Sequence, residues 1–178
     1  MGEPYGFTMM EMAVTILILG VILAVSTLSY GEISKGVKMS AARKQVEQAI
    51  TRAKTAARQE NVSYRIVFYS HSESVPDSYE FYCNTKYEQG TFPNKTVTWV
   101  MEPVDKSVSG ESVTTAVVDG KTHTYIKISN GVQVEETVAI TLSPAGTTFS
   151  VTPATVRLRI GNRTGSVSVD GVGRITTQ

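Results

Sequence analysis

Polar and apolar positions divide the chain into three stretches of different period. From Phe7 to Leu28 the residues are almost all apolar and carry one charge, Glu11, close to the start. At about 1.5 Å rise per residue, a helix of that length reaches across a bilayer's hydrocarbon core, which predicts a transmembrane helix over 7–29. A carboxylate inside such a span is costly to bury and so marks a functional position. Further on, Met39, Ala42, Val46, Ala49, Ile50, Ala53 and Ala57 recur at three- and four-residue spacings, and Arg43, Lys44, Glu47, Arg52, Lys54 and Arg58 take the other side. This is the pattern of an amphipathic helix over 30–60, with small alanines that let its buried face lie close to a sheet. Gly31 and Gly36 weaken the junction between the halves without ending the helix.

From Asn61 the period falls to two. Tyr64, Ile66 and Phe68 alternate with Arg65 and Val67, and Tyr79 to Cys83 and Thr96 to Met101 read as further strands. Ser112 to Val118 and Lys121 to Ser129 flank Asp119-Gly120, a two-residue hairpin signal. Thr137 to Leu142, Thr147 to Val151, Thr155 to Ile160 and Ser166 to Val169 follow, separated by Gly- and Pro-containing turns. Short β-branched strands at this spacing predict an antiparallel sheet or sandwich over 61–178.

The head of the chain adds a specific signal. Gly6-Phe7-Thr8-Met9-Met10-Glu11 followed by an apolar helix resembles the prepilin signal of type IV pilins and type II secretion pseudopilins. The resemblance implies that residues 1–6 are a leader, that a prepilin peptidase cuts between Gly6 and Phe7, and that Phe7 is then N-methylated. It also implies that Glu11 neutralises the N-terminal ammonium of a neighbouring subunit during assembly. Two opposite charges buried among apolar helices are tolerable only as a pair, which agrees with that role. The expected architecture is therefore α+β and pilin-like, a long N-terminal helix with a transmembrane and an amphipathic half, packed on a β-rich domain.

The leader departs from the pattern in holding Glu3 and no Lys or Arg. Lys35, Lys38, Arg43 and Lys44 follow the apolar run, and the positive-inside rule would leave the remainder in the cytoplasm. A hydroxyl-rich β domain behind a prepilin motif is instead expected outside the cytoplasm, on a single-pass protein of the bacterial inner membrane. The partners implied are other pilin or pseudopilin subunits, the peptidase, the inner-membrane assembly platform and the lipid bilayer.

The C-terminal region narrows the resemblance. Ile140 to Gly146, Val156-Arg157-Leu158-Arg159-Ile160, Ser166 to Val169 and Gly173-Arg174-Ile175 resemble the end of the GspH/FimT-type minor pseudopilin domain. Thr176 stands where that family commonly closes on a further Arg. The net charge of +1 gives the whole chain no general attraction for polyanions, but Val156 to Gln178 holds four Arg against one Asp. Two functions are open: a structural subunit of a type II secretion pseudopilus or type IV pilus, or a FimT-like minor pilin. The second implies DNA capture in natural transformation, through phosphate contacts from Arg157, Arg159, Arg163 and Arg174.

Enzymatic chemistry finds little support. His71 and His123 stand in unrelated contexts, and the single Cys83 has no partner for a disulfide or a ligand-spaced motif. No Gly-x-Ser-x-Gly elbow presents a serine nucleophile, and the adjacent Glu135 and Glu136 read as a solvated turn. No catalytic residue, metal site or cofactor is expected.

Overall fold

The computed structural model describes residues 7–89, 96–129, 131–148 and 153–178, with the backbone alone at 25–29 and 89. One helix, α1 (Met9–Glu60), precedes ten strands: β1 (Tyr64–Tyr69), β2 (Ser78–Gln89), β3 (Thr96–Val104), β4 (Val113–Val118) and β5 (Lys121–Lys127), then β6 (Gln133–Val134), β7 (Val138–Leu142), β8 (Ala154–Ile160), β9 (Arg163–Val169) and β10 (Ile175–Thr177). The chain forms two compact units, Met1–Val37 and Lys38–Gln178.

The first unit corrects the expected architecture. No helix among the described residues is long and apolar enough to cross a membrane. The pilin-like arrangement of one long helix laid on the sheet domain is also overturned, because the unit boundary falls within α1, between Val37 and Lys38. The placement as a single-pass inner-membrane protein, with its C-terminal domain outside the cytoplasm, is corrected with it, since no helix among the described residues is long and apolar enough to carry it.

In the second unit, the α1 segment from Lys38 to Glu60 buries Met39, Ala42, Val46, Ala49, Ile50, Ala53, Ala56 and Ala57. These share one apolar core with Tyr64, Ile66 and Phe68 of β1, Phe81 of β2, Ile126 of β5, Leu158 of β8 and Val167 of β9. Each fully buried Ile, Leu or Phe contributes about 1.5–3 kcal/mol, so this burial is the principal source of the unit's stability. Alanines keep the contact close, and Gly165 of β9 keeps it closer: a Cβ there would lie 2.9 Å from Arg43 Nε and 3.1 Å from Met39 Sδ. The helix ends at Asn61, whose φ of 52° turns the chain out of the helical path, with Arg58 in the last turn facing the carbonyl end of the dipole.

All strand pairs are antiparallel, in two sheets. One sheet runs β4-β5-β2-β1-β7 with β3 also on β2, and the other runs β10-β9-β8-β6. Strand β2 pairs with β1 along one edge, through residues 78–83. Its other edge is shared, with Ser78 and Tyr79 facing β5 and residues from Phe81 onward facing β3. The sheet therefore forks at Glu80. The β4–β5 hairpin closes through Asp119 and Gly120, with φ of 50° and 74°, the conformation that this dipeptide favours. Of the predicted strands, Thr147 to Val151 is not formed at its described start, where Thr148 makes an isolated bridge to Leu142, and 149–152 lie outside the described residues.

Polar contacts fasten α1 to the loops around this core. Arg52 makes two hydrogen bonds to the Glu111 carboxylate, at 2.9 and 3.2 Å, and a third to the Lys106 carbonyl at 2.7 Å. Burial alone would raise the Glu111 pKa, but Arg52, the Val108 amide and the Tyr79 hydroxyl outweigh it and hold the carboxyl below its usual range. Lys54 donates to the Gly173 carbonyl at 2.7 Å. Gly173 itself, at φ 75°, has no room for a side chain: a Cβ would meet the Gly146 carbonyl oxygen at 2.1 Å. Gly173→Ala is accordingly expected to destabilise the fold by at least about 2 kcal/mol, measured by urea denaturation, through backbone strain and a clash with main chain that cannot move aside.

Candidate functional site

The residues predicted to matter divide between the two units. In the first, Gly6 lies outside the described residues, while Phe7 and Glu11 are both exposed. Glu11 is engaged in its own helix. The Glu11 amide donates to Thr8 Oγ1 at 3.3 Å and the Thr8 amide donates to Glu11 Oε2 at 3.4 Å. Thr-x-x-Glu is thus a capping box, which satisfies two of the amides that every helix start leaves without partners. That spacing was legible in the sequence and gives the carboxylate a local reason to be where it is. Glu11 Oε1 remains without a hydrogen bond among the described residues.

The side chains behind this cap are apolar on every side. Met12, Val14, Ile16, Leu17, Ile18, Leu19, Val21, Ile22 and Leu23 are each about half exposed or more. A helix that is hydrophobic all round is a buried helix, so this surface calls for a cover that its own described residues do not supply.

In the second unit, the four arginines do not converge. Arg157 and Arg159 lie on the exposed face of β8, opposite the buried Val156, Leu158 and Ile160. Their guanidinium groups stand 4.0 Å from Glu136 and 3.9 Å from Glu135, and Arg159 also reaches Gln133. Arg163 begins β9 beside the Gly161 turn, at one end of the sheet. Arg174 sits toward the other end, in the loop before β10, where the Asp170 side chain accepts the Val172 and Arg174 amides at 3.1 and 2.7 Å. Glu135 and Glu136, predicted as solvated, are exposed and level with two of these arginines. The result is a surface of mixed sign, on which these four arginines form no continuous basic track.

One cluster escaped the sequence reading. Glu80, at the fork of the larger sheet, is fully buried. Its Oε2 accepts hydrogen bonds from Tyr69 at 3.0 Å and Tyr82 at 2.8 Å. His123 Nδ1 lies 2.8 Å from Oε1, and neither atom makes a hydrogen bond among the described residues. Tyr125 stacks on the His123 ring, with centroids 6.0 Å apart. Burial raises the Tyr82 hydroxyl to about 12 and raises Tyr69 still further, so both remain proton donors to the carboxylate. Tyr79-Glu80-Phe81 did signal that Glu80 points away from the core, but its partners come from three strands and become visible only with the register. Glu80 has no solvent-exposed surface, and its carboxylate ties together strands β1 and β2 through the two tyrosines.

Two outcomes follow for this network. Glu80→Ala removes the shared acceptor of two part-buried hydroxyls and is expected to cost about 1–3 kcal/mol in urea denaturation, with Glu80→Gln costing less. The raised tyrosines bind their protons more tightly in the folded state than in the unfolded state, where the pKa is about 10. Their contribution is complete below that value and is lost as pH rises beyond it. The denaturation midpoint should therefore be flat from about pH 8 to 9 and fall above about 10, in step with tyrosinate absorbance. Comparison of the chain with protein-family models, with curated proteins and with solved structures found no match.

Proposed function

We propose that the chain is a minor pilin or pseudopilin, a structural subunit of a type IV pilus or type II secretion pseudopilus rather than an enzyme. One observation carries this reading: an apolar helical surface from Met9 to Leu23 that the described residues of its own unit leave exposed, begun by a helix-capping carboxylate directly after a prepilin-like cleavage sequence. The proposed cover is the same segment of neighbouring subunits, and the partners are those subunits and the prepilin peptidase. Cleavage between Gly6 and Phe7 creates an ammonium at Phe7. In an assembly of apolar helices that charge requires a counter-ion, and Glu11 of the adjacent subunit supplies it. Capping uses only Oε2 of Glu11, and among the described residues Oε1 has no hydrogen-bond partner, which supports this.

DNA capture is the weaker alternative. Its four arginines are dispersed, and two of them face carboxylates, which reduces the phosphate contacts that such binding needs.

The capping box makes the Glu11 proposal testable. Gln is accepted at this position of a capping box, so Glu11→Gln keeps the cap and removes the charge, whereas Glu11→Ala removes both. An unpaired buried ammonium costs about 3–5 kcal/mol, so both variants should lower incorporation into filaments by about two orders of magnitude or more. If Glu11→Gln assembles normally and only Glu11→Ala fails, Glu11 is a helix cap and the charge-pairing role is overturned.

A further inference from the structure

Among the described residues, strand β4 is an unguarded sheet edge. It is the outermost strand on its side of the larger sheet, and no strand among the described residues pairs with its outer edge. Sheet edges are normally protected by charges, proline, bulges or a covering element. Val113-Thr114-Thr115-Ala116-Val117-Val118 contains no charge, proline or glycine, and every residue but Ala116 is exposed. Val117 is 73% exposed, Val118 43% and Val113 40%.

The hydrogen-bond phase of the edge follows from the hairpin. The Lys127 amide donates to the Ser112 carbonyl, and the two-residue turn closes on Val118 and Lys121. Even-numbered residues of β4 therefore bond to β5, and Val113, Thr115 and Val117 turn their N–H and C=O groups outward. A sheet continued antiparallel across a twofold axis places one residue opposite itself. Centred on Thr115, that operation sets Val113 against Val117 of the second copy and lets all three outward residues exchange hydrogen bonds, about six in all. The two exposed valines then cover each other, and no like charges meet along the strand pair. At its ends Asp119 comes level with the second copy's Glu111, whose charge is already compensated by Arg52.

We infer that β4 is a homotypic docking edge, which joins the six-stranded sheets of two copies of this chain by antiparallel β4–β4 pairing centred on Thr115. The occupant is a second copy because the edge is complementary to itself: it is uncharged and has a valine two residues to either side of its centre. The inference is independent of the proposed role of the N-terminal segment. A six-residue strand pair buries less than the roughly 1,200–2,000 Å² of a stable interface, so the contact is weak and is best read by trapping.

The test uses the full chain in mild detergent with Cys83→Ser, which leaves a single introduced thiol. Under gentle oxidation, Thr115→Cys should give about tenfold more disulfide-linked homodimer than Thr122→Cys on β5, because pairing raises the local concentration of the second thiol. Adding Val117→Lys to Thr115→Cys should remove that gain. Adding Val113→Glu as well should restore it, since the register sets the new Glu against the new Lys. Both positions are exposed, and circular dichroism of each variant checks that the fold is intact. The pairing is overturned if Thr115→Cys crosslinks no better than Thr122→Cys, if Val117→Lys leaves the yield unchanged, if the charge-paired variant fails to recover, or if the thiol couples instead to another protein.

Discussion

The close approach between the Lys38–Glu60 segment of α1 and the two sheets is the constraint on which the rest of the second unit depends. Neither sheet could bury its inner face alone. The helix serves both because its contact side is mostly alanine, with Met39, Val46 and Ile50 filling the wider gaps. Glycine does the same on the opposing side at Gly165, and the Arg52–Glu111 and Lys54–Gly173 contacts hold the flanking loops to the helix. The glycine and the small side chains make the geometry unforgiving, because added volume meets backbone or a neighbouring side chain directly rather than empty space.

The first unit follows a different logic. Among its described residues the apolar side chains bury no core, and the start of the helix is fixed by a polar cap. An exposed surface of this kind marks an interaction. A filament reading gives the surface a partner and the Glu11 charge a reason. The fork at Glu80 and the bare edge of β4 lie elsewhere and answer to different needs, one closing a polar network and the other leaving backbone groups available.

Local patterns in the sequence carried well where the physics is local. The alanine-rich face from Met39 to Ala57 is buried as its spacing indicates, and Asp119-Gly120 forms the hairpin turn that its chemistry favours. Counting apolar residues from Phe7 onward failed as a predictor of a membrane-crossing helix, and treating α1 as one body overlooked the division at Val37. Strands β6 and β10 were invisible because two or three residues carry no readable period. Glu80 was seen as a strand residue but not as the centre of a network, since Tyr69, Tyr82 and His123 reach it only through pairings set by the whole sheet. Arg157 and Arg159 share the exposed face of β8, but nothing in their spacing showed the carboxylates beside them.

The central claim is that this chain is made as a prepilin and matures for assembly. The most direct measurement is the intact mass and N-terminal sequence of the protein isolated from cells with and without a prepilin peptidase. The account predicts a chain that begins at N-methylated Phe7 when the peptidase is present and retains residues 1–6 when it is absent. A chain that keeps its first six residues in both cases would contradict it, and Glu11 would then stand as a helix cap alone.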